Sequence, residues 1–132
     1  MTIKVLIDHN IEGQARRLWD LLFQSGWIQT ADIEFVYFAE VGLPINSSDR
    51  EIWRFMQSQQ MFLLTANRND EDDDSLERTI QEENTKTALP VVTIGRPKKI
   101  REQEYAKKCA DRLLEIVLYS EKYLGTGRQY IP

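Results

Sequence analysis

Ile3-Lys4-Val5-Leu6-Ile7-Asp8-His9-Asn10 opens the chain with a short, β-branched apolar run that ends abruptly in three polar residues. Such a run reads as a buried strand whose carboxyl end meets a polar loop. Beyond it Ala15, Leu18, Trp19, Leu22 and Phe23 recur at three- and four-residue spacing as far as Ser25-Gly26. An amphipathic helix therefore lays this stripe on the sheet and stops at Gly26.

The same alternation then repeats. Ile33-Glu34-Phe35-Val36-Tyr37-Phe38 reads as a second strand, and a loop through Gly42, Pro44 and Asn46 leads to Ser48-Asp49-Arg50-Glu51. That quartet is a capping box: the serine oxygen accepts from the third helical amide, and the glutamate reaches back to the cap's own amide. Ile52, Phe55 and Met56 give the helix its apolar face. Met61-Phe62-Leu63-Leu64-Thr65 is a third strand, continuously apolar as expected where helices cover both faces of a parallel sheet. A shorter helix near Ser75 to Glu83, the strand Pro90-Val91-Val92-Thr93-Ile94 and a long helix from about Arg101 to Leu124 follow. In the last, Tyr105, Ala106, Cys109, Leu113, Ile116 and Val117 form the buried stripe.

The order βαβαβαβα predicts right-handed crossovers and an α/β fold, a three-layer sandwich with a four-stranded, mostly parallel sheet. Residues 1–124 read as one domain. Residues 125–132, Gly125-Thr126-Gly127-Arg128-Gln129-Tyr130-Ile131-Pro132, lack periodicity and read as a tail, either disordered or docked on a partner.

Length and composition agree. The 132 residues, 42% of them hydrophobic, are too few for two ordinary domains yet enough to bury roughly two-thirds of the extended chain's surface without metal or disulfide staples. The lone Cys109 makes no internal disulfide and sits on a helical apolar stripe, so it reads as a small core residue in a reducing compartment. No early run joins a basic start to an apolar stretch, and no segment approaches the ~18 apolar residues of a membrane span, so the expectation is a cytoplasmic protein without a membrane partner.

The net charge of −4 argues against broad nonspecific nucleic-acid binding, but the signs are segregated. Ala66 to Leu89 holds eight acids against Arg68, Arg78 and Lys86, net −5; Arg96 to Arg112 holds seven bases against Glu102, Glu104 and Asp111, net +4.

In open parallel sheets ligands gather beyond the carboxyl ends of the strands, where the strand order reverses. Asp8 and Asn10 follow the first strand, Asn67, Asn69 and Asp70 follow the third, and Asp49 stands in the first turn of the helix leading into the third. Together they outline one acidic pocket. Carboxylate and amide oxygens suit a hard divalent cation, Mg2+ or Mn2+, which neutralises phosphate charge and activates water for phosphodiester hydrolysis.

Asp8-His9-Asn10 closing a strand, Asp49-Arg50-Glu51-Ile52 opening a helix and Leu63-Leu64-Thr65-Ala66-Asn67-Arg68-Asn69 ending the next strand resemble, in order and spacing over roughly residues 3 to 95, the small PIN-like proteins. Those families show Asp-x-Asn, Asp-x-Glu-Ile and Thr-x-Asp-x-Asp at these places. The resemblance implies a PIN-like fold, a Mg2+- or Mn2+-dependent endoribonuclease (a hydrolase), and a toxin role beside a small antitoxin protein, with homodimers common. Carried over by position, Asp8 and Asp49 are catalytic, metal-binding acids, and Asn10, Glu51 and Asn69 support the site. The two aspartates after the third strand are Asn67 and Asn69 here, neutral oxygen donors that cannot act as bases. That leaves the acidic site partly degraded, with Asn67 as a metal ligand and Asp70 as the nearest substitute for the missing acid. Arg96, Lys98, Lys99 and Arg101 follow the fourth strand on the same edge and form the expected RNA-binding stretch.

Plainer readings stand beside these. Asp8 can cap the helix that follows its strand, Asp49 can favour its helix N-terminus, and Asn67 and Asn69 can be turn formers. Asp72, Asp73 and Asp74 read as a solvated acidic loop, His9 as a surface residue, and Trp19, Trp27 and Trp53 as packing or interface residues. The alternative function is a catalytically degenerate PIN-like domain that binds protein or RNA. A phosphoacceptor domain using Asp8 lacks a strand-end lysine, since the fourth strand ends in Thr93-Ile94-Gly95.

Overall fold

Val5, Leu6 and Ile7 are wholly buried, which requires a strand covered on both faces. In a computed structural model, which describes residues 1–132, they form β1 (Ile3–Ile7) at the interior of an all-parallel sheet. The other strands are β2 (Ile33–Tyr37), β3 (Phe62–Thr65), β4 (Val91–Ile94) and β5 (Arg128–Ile131), in the order β2-β1-β3-β4-β5. Val5 is paired with Phe35 on one side and Phe62 on the other, and Leu63 with Val91.

The alternation of side chains along each strand divides the interior into two cores. Val5, Ile7, Phe35, Leu64 and Val92 face α1 (Glu12–Gln24), α2 (Trp27–Ala31) and α5 (Gln103–Leu118), meeting Leu18, Ile28 and Leu113 there. Leu6, Val36, Leu63 and Val91 face α3 (Asp49–Ser58) and α4 (Leu76–Glu83) through Trp53, Met56 and Ile80. Cys109 lies fully buried in the first core, where burial pushes its thiol up to about 11. It is a protonated packing residue. No helix is long and apolar enough to cross a membrane.

The sheet has five strands where the sequence pattern predicts four. The fifth is the segment read as a tail: Arg128–Ile131 pairs in register with Val91–Ile94, and Ile131 is fully buried. Two glycines make this closure possible. Gly125 and Gly127 have φ of 79° and 81°, and a Cβ on either would stand 2.9 Å from Lys86 O or Ile80 Cγ2 respectively. The last helix also stops earlier than predicted, at Leu118, with a 3-10 turn at Ser120–Lys122 leading the chain towards β5.

Candidate functional site

Strand order reverses at β1: the chain leaves it outwards to β2 and returns to β3 on its other side. The loops after β1 and β3 therefore part company and leave a crevice beyond the strands' carboxyl ends. Asp8, immediately after β1, stands on one wall. Its Oδ1 accepts from the Asn10 amide at 3.1 Å, capping the turn His9–Ile11, and its Oδ2 accepts from the Thr65 hydroxyl at 2.6 Å. Asp8 thus caps the 3-10 turn and not, as predicted, the helix after it, whose N-cap is Ile11, while its other oxygen faces the end of β3.

Asp49 forms the opposite wall. Ser48 and Glu51 make the predicted capping box, each partner reaching the other's amide at 3.1 Å, and so fix the start of α3. Glu51 serves the helix end and is itself exposed. From the first turn so fixed, Asp49 Oδ2 accepts from the Leu76 amide at 3.0 Å and from Asn67 Nδ2 at 2.9 Å. One carboxylate thereby sits at the amino ends of both α3 and α4, where their dipoles favour negative charge.

Asn67 joins the two walls. Its amide N–H donates to Thr65 Oγ1 at 3.0 Å and its side chain donates to Asp49, so an unbroken chain of hydrogen bonds runs Asp8–Thr65–Asn67–Asp49. These four residues, with Ile52, Leu63 and Leu76, line a cavity of about 10 Å³ for the centre of a water molecule, room for one water. A larger cleft of about 440 Å³ adjoins it through Asp8 and Asn67, and Asn10 and Lys98 lie on its rim. The cavity thus brings Asp8, Asp49 and Asn67 together, whereas Asn10 shares only the adjoining cleft with Asp8 and Asn67.

Asp70 stands apart. It is exposed on the loop and lines neither space, and no three His, Cys, Asp or Glu side chains form a group that could hold a metal ion. Asn67 Oδ1 and Asn69 Oδ1 accept from the amides of Asn69 and Glu71 at 2.8 and 2.9 Å, successive side-chain turns that carry the chain outward before it reaches Asp70. His9 is also on the surface, its Nδ1 3.6 Å from Glu12.

The basic stretch divides in two. Pro97–Arg101 is a 3-10 turn, with three residues per revolution, so residues three apart share a side. Lys98 and Arg101 border a cleft of about 410 Å³ with Gln14 and Arg17, continuous with the cleft at Asp8 through Gln14 and Lys98. Arg96 and Lys99 face the other way, into a separate cleft with Tyr105 and Tyr130.

Two structural residues of the site escape sequence reasoning. Arg128 of β5 reaches beneath the loop after β3, donating to Asn67 O at 2.8 Å, Thr93 Oγ1 at 2.7 Å and Glu77 Oε2 at 3.1 Å. Its side chain is only 7% exposed and its Nε is buried without a partner. Arg50, in the first turn of α3, donates to Asp74 at 2.9 Å, to the Asp73 carbonyl at 2.7 Å and to Glu82 and Glu83, tying down the acidic loop. Glu83 also receives both ends of the Arg54 fork at 2.8 Å, and Arg54 and then Arg50 hold its carboxyl below the usual range. The opposite charges of residues 50–54 and 70–83 were the available signal; for Arg128 there was none.

No family model, curated protein or solved structure matches this chain.

Proposed function

We propose that the chain is a PIN-like, ribonuclease-type protein whose centre is the pair Asp8 and Asp49, and that it acts on RNA with Mg2+ or Mn2+. The observation that supports this reading is the meeting of two carboxylates, 41 residues apart in the chain, in one cavity at the reversal of strand order. The donor set fits such an ion: Mg2+ is commonly held by one or two carboxylates, with waters and substrate phosphates completing its shell, and Asp49 Oδ1 has no protein donor. Bound there, the ion supplies charge neutralisation and an activated water. Thr65 and the Asn67 side chain hold the two carboxylates in place, and Lys98 on the rim of the adjoining cleft receives a phosphate of the strand. A place in a toxin–antitoxin pair belongs to the same proposal.

A second reading, a PIN-like domain that binds RNA or protein without turnover, is favoured by one observation. Asn67 offers Asp49 a hydrogen-bond donor where the related pattern has a third carboxylate, and no further acid approaches. Incubating the protein with single-stranded and structured RNA in Mn2+ separates the two. Turnover predicts cleavage that chelation stops and that Asp8→Asn lowers by about 100-fold or more, the scale of losing a group that positions or moves a proton. Intact RNA, with a melting temperature that still rises in Mn2+, points to the binding domain; intact RNA and no thermal response remove the metal site altogether.

A further inference from the structure

The cleft beyond the carboxyl ends of β4 and β5 holds four cationic side chains from three parts of the chain: Arg68 after β3, Arg96 and Lys99 after β4, and Lys108 on α5. None of the four makes an ion pair, whereas Arg50, Arg54, Arg78, Arg112 and Arg128 all do. No aspartate or glutamate lines the cleft. Its volume, about 470 Å³, lies within the usual range for small-molecule sites. Two phenol rings border it. Tyr105 is fixed, its hydroxyl accepting from the Arg96 amide at 2.9 Å, with Lys99 Nζ 5.7 Å from its ring centre. Tyr130, on edge strand β5, is 46% exposed.

We propose that this cleft is a nucleotide site distinct from the acidic cavity, taking phosphates on Arg68, Arg96, Lys99 and Lys108 and an aromatic base on Tyr130. Unpaired cations without a facing acid favour multiply charged phosphate, and a partly exposed ring beside them favours a planar base over a bare anion. The same chemistry is offered by a free nucleoside triphosphate and by the 5′-phosphorylated end of an RNA strand. Neither source depends on a metal at Asp8.

Calorimetric titration in EDTA with ATP, inorganic triphosphate and a 5′-phosphorylated RNA octamer tests this. At least one base-bearing probe binds, and Arg96→Gln/Lys99→Gln weakens it by about 10-fold or more while Lys4→Gln/Lys122→Gln, the same charge change elsewhere, does not. Tyr130→Ala weakens the base-bearing probe by about 5- to 100-fold and leaves triphosphate as it was. Binding of ATP identifies the free nucleotide, and binding of the octamer alone identifies the strand end. Absence of binding by ATP and octamer, equal losses in the two charge variants, or indifference to Tyr130→Ala at unchanged far-UV dichroism overturns the proposal. Asp8→Asn is expected to bind as wild type, so loss of RNA cleavage and loss of this site are separate results.

Discussion

The two charged stretches of the chain are handled in opposite ways. The acidic one, from Asp70 through α4, is met by arginine: Arg50 spans Asp74, Glu82 and Glu83, Arg54 doubles on Glu83, and Arg128 reaches Glu77. Of the basic one only Arg112 is matched, by Glu115, while Arg96, Lys98, Lys99 and Arg101 are free of ion pairs and divide between the clefts on either side of Pro97–Arg101. Charge that is satisfied within the fold sets the position of the loop after β3. Charge that is not satisfied is available to a phosphate.

That contrast can be broken at its matched end first. Arg128→Ala leaves Thr93 Oγ1, Asn67 O and Glu77 without their shared donor, and is expected to cost about 2 kcal/mol in urea unfolding, the scale of leaving buried acceptors unsatisfied. A loss of under about 1 kcal/mol would mean that β5 and the loop after β3 are held by other contacts. Asn67→Asp sharpens the contrast at the cavity. It replaces a donor with a second carboxylate beside Asp49, so the metal-free protein should lose about 2 kcal/mol, and Mn2+ should restore the melting temperature more than it does in wild type.

The smallest effect is that of acid. Glu83 is held below its ordinary value of 4.5 chiefly by hydrogen bonds from Arg54 and then Arg50, so its contribution is complete above that pH and fades as the pH falls through the lowered folded value. Melting curves from pH 7 to pH 2 should show Glu83→Gln less stable than wild type at neutral pH and converging with it at the acid end. A constant gap would mean that the carboxylate's charge plays no part in the pairing.

What could be read from the sequence follows from where apolar pattern speaks. β1, β3 and β4 are mainly apolar runs, and the stop at Gly26 and the capping box at Ser48 are local chemistry, so the α/β class, four of the strands and the start of α3 were legible. β5 was not. Of Arg128-Gln129-Tyr130-Ile131 the only apolar residue turned into the core is Ile131, and the strand is stabilised by pairing with β4 and by the Arg128 side chain's hydrogen bonds, which no periodicity announces. At the site, Asp8, Asp49 and Asn67 were legible because strand ends and helix starts fix their places. Asp70 was not, since the direction of a loop built from successive Asn turns depends on contacts made by Arg50 and Arg128 far along the chain.

The claim on which the functional reading rests is that Asp8 and Asp49 form one hard-cation site. Sub-stoichiometric Mn2+ added to 15N-labelled protein measures this directly, through paramagnetic broadening of amide signals. Asn10, Asn67 and Leu76 are expected to broaden first, and Asp8→Asn/Asp49→Asn to abolish the effect. Broadening centred on the exposed acids Asp70 to Asp74, or an unchanged pattern in the double variant, would contradict it.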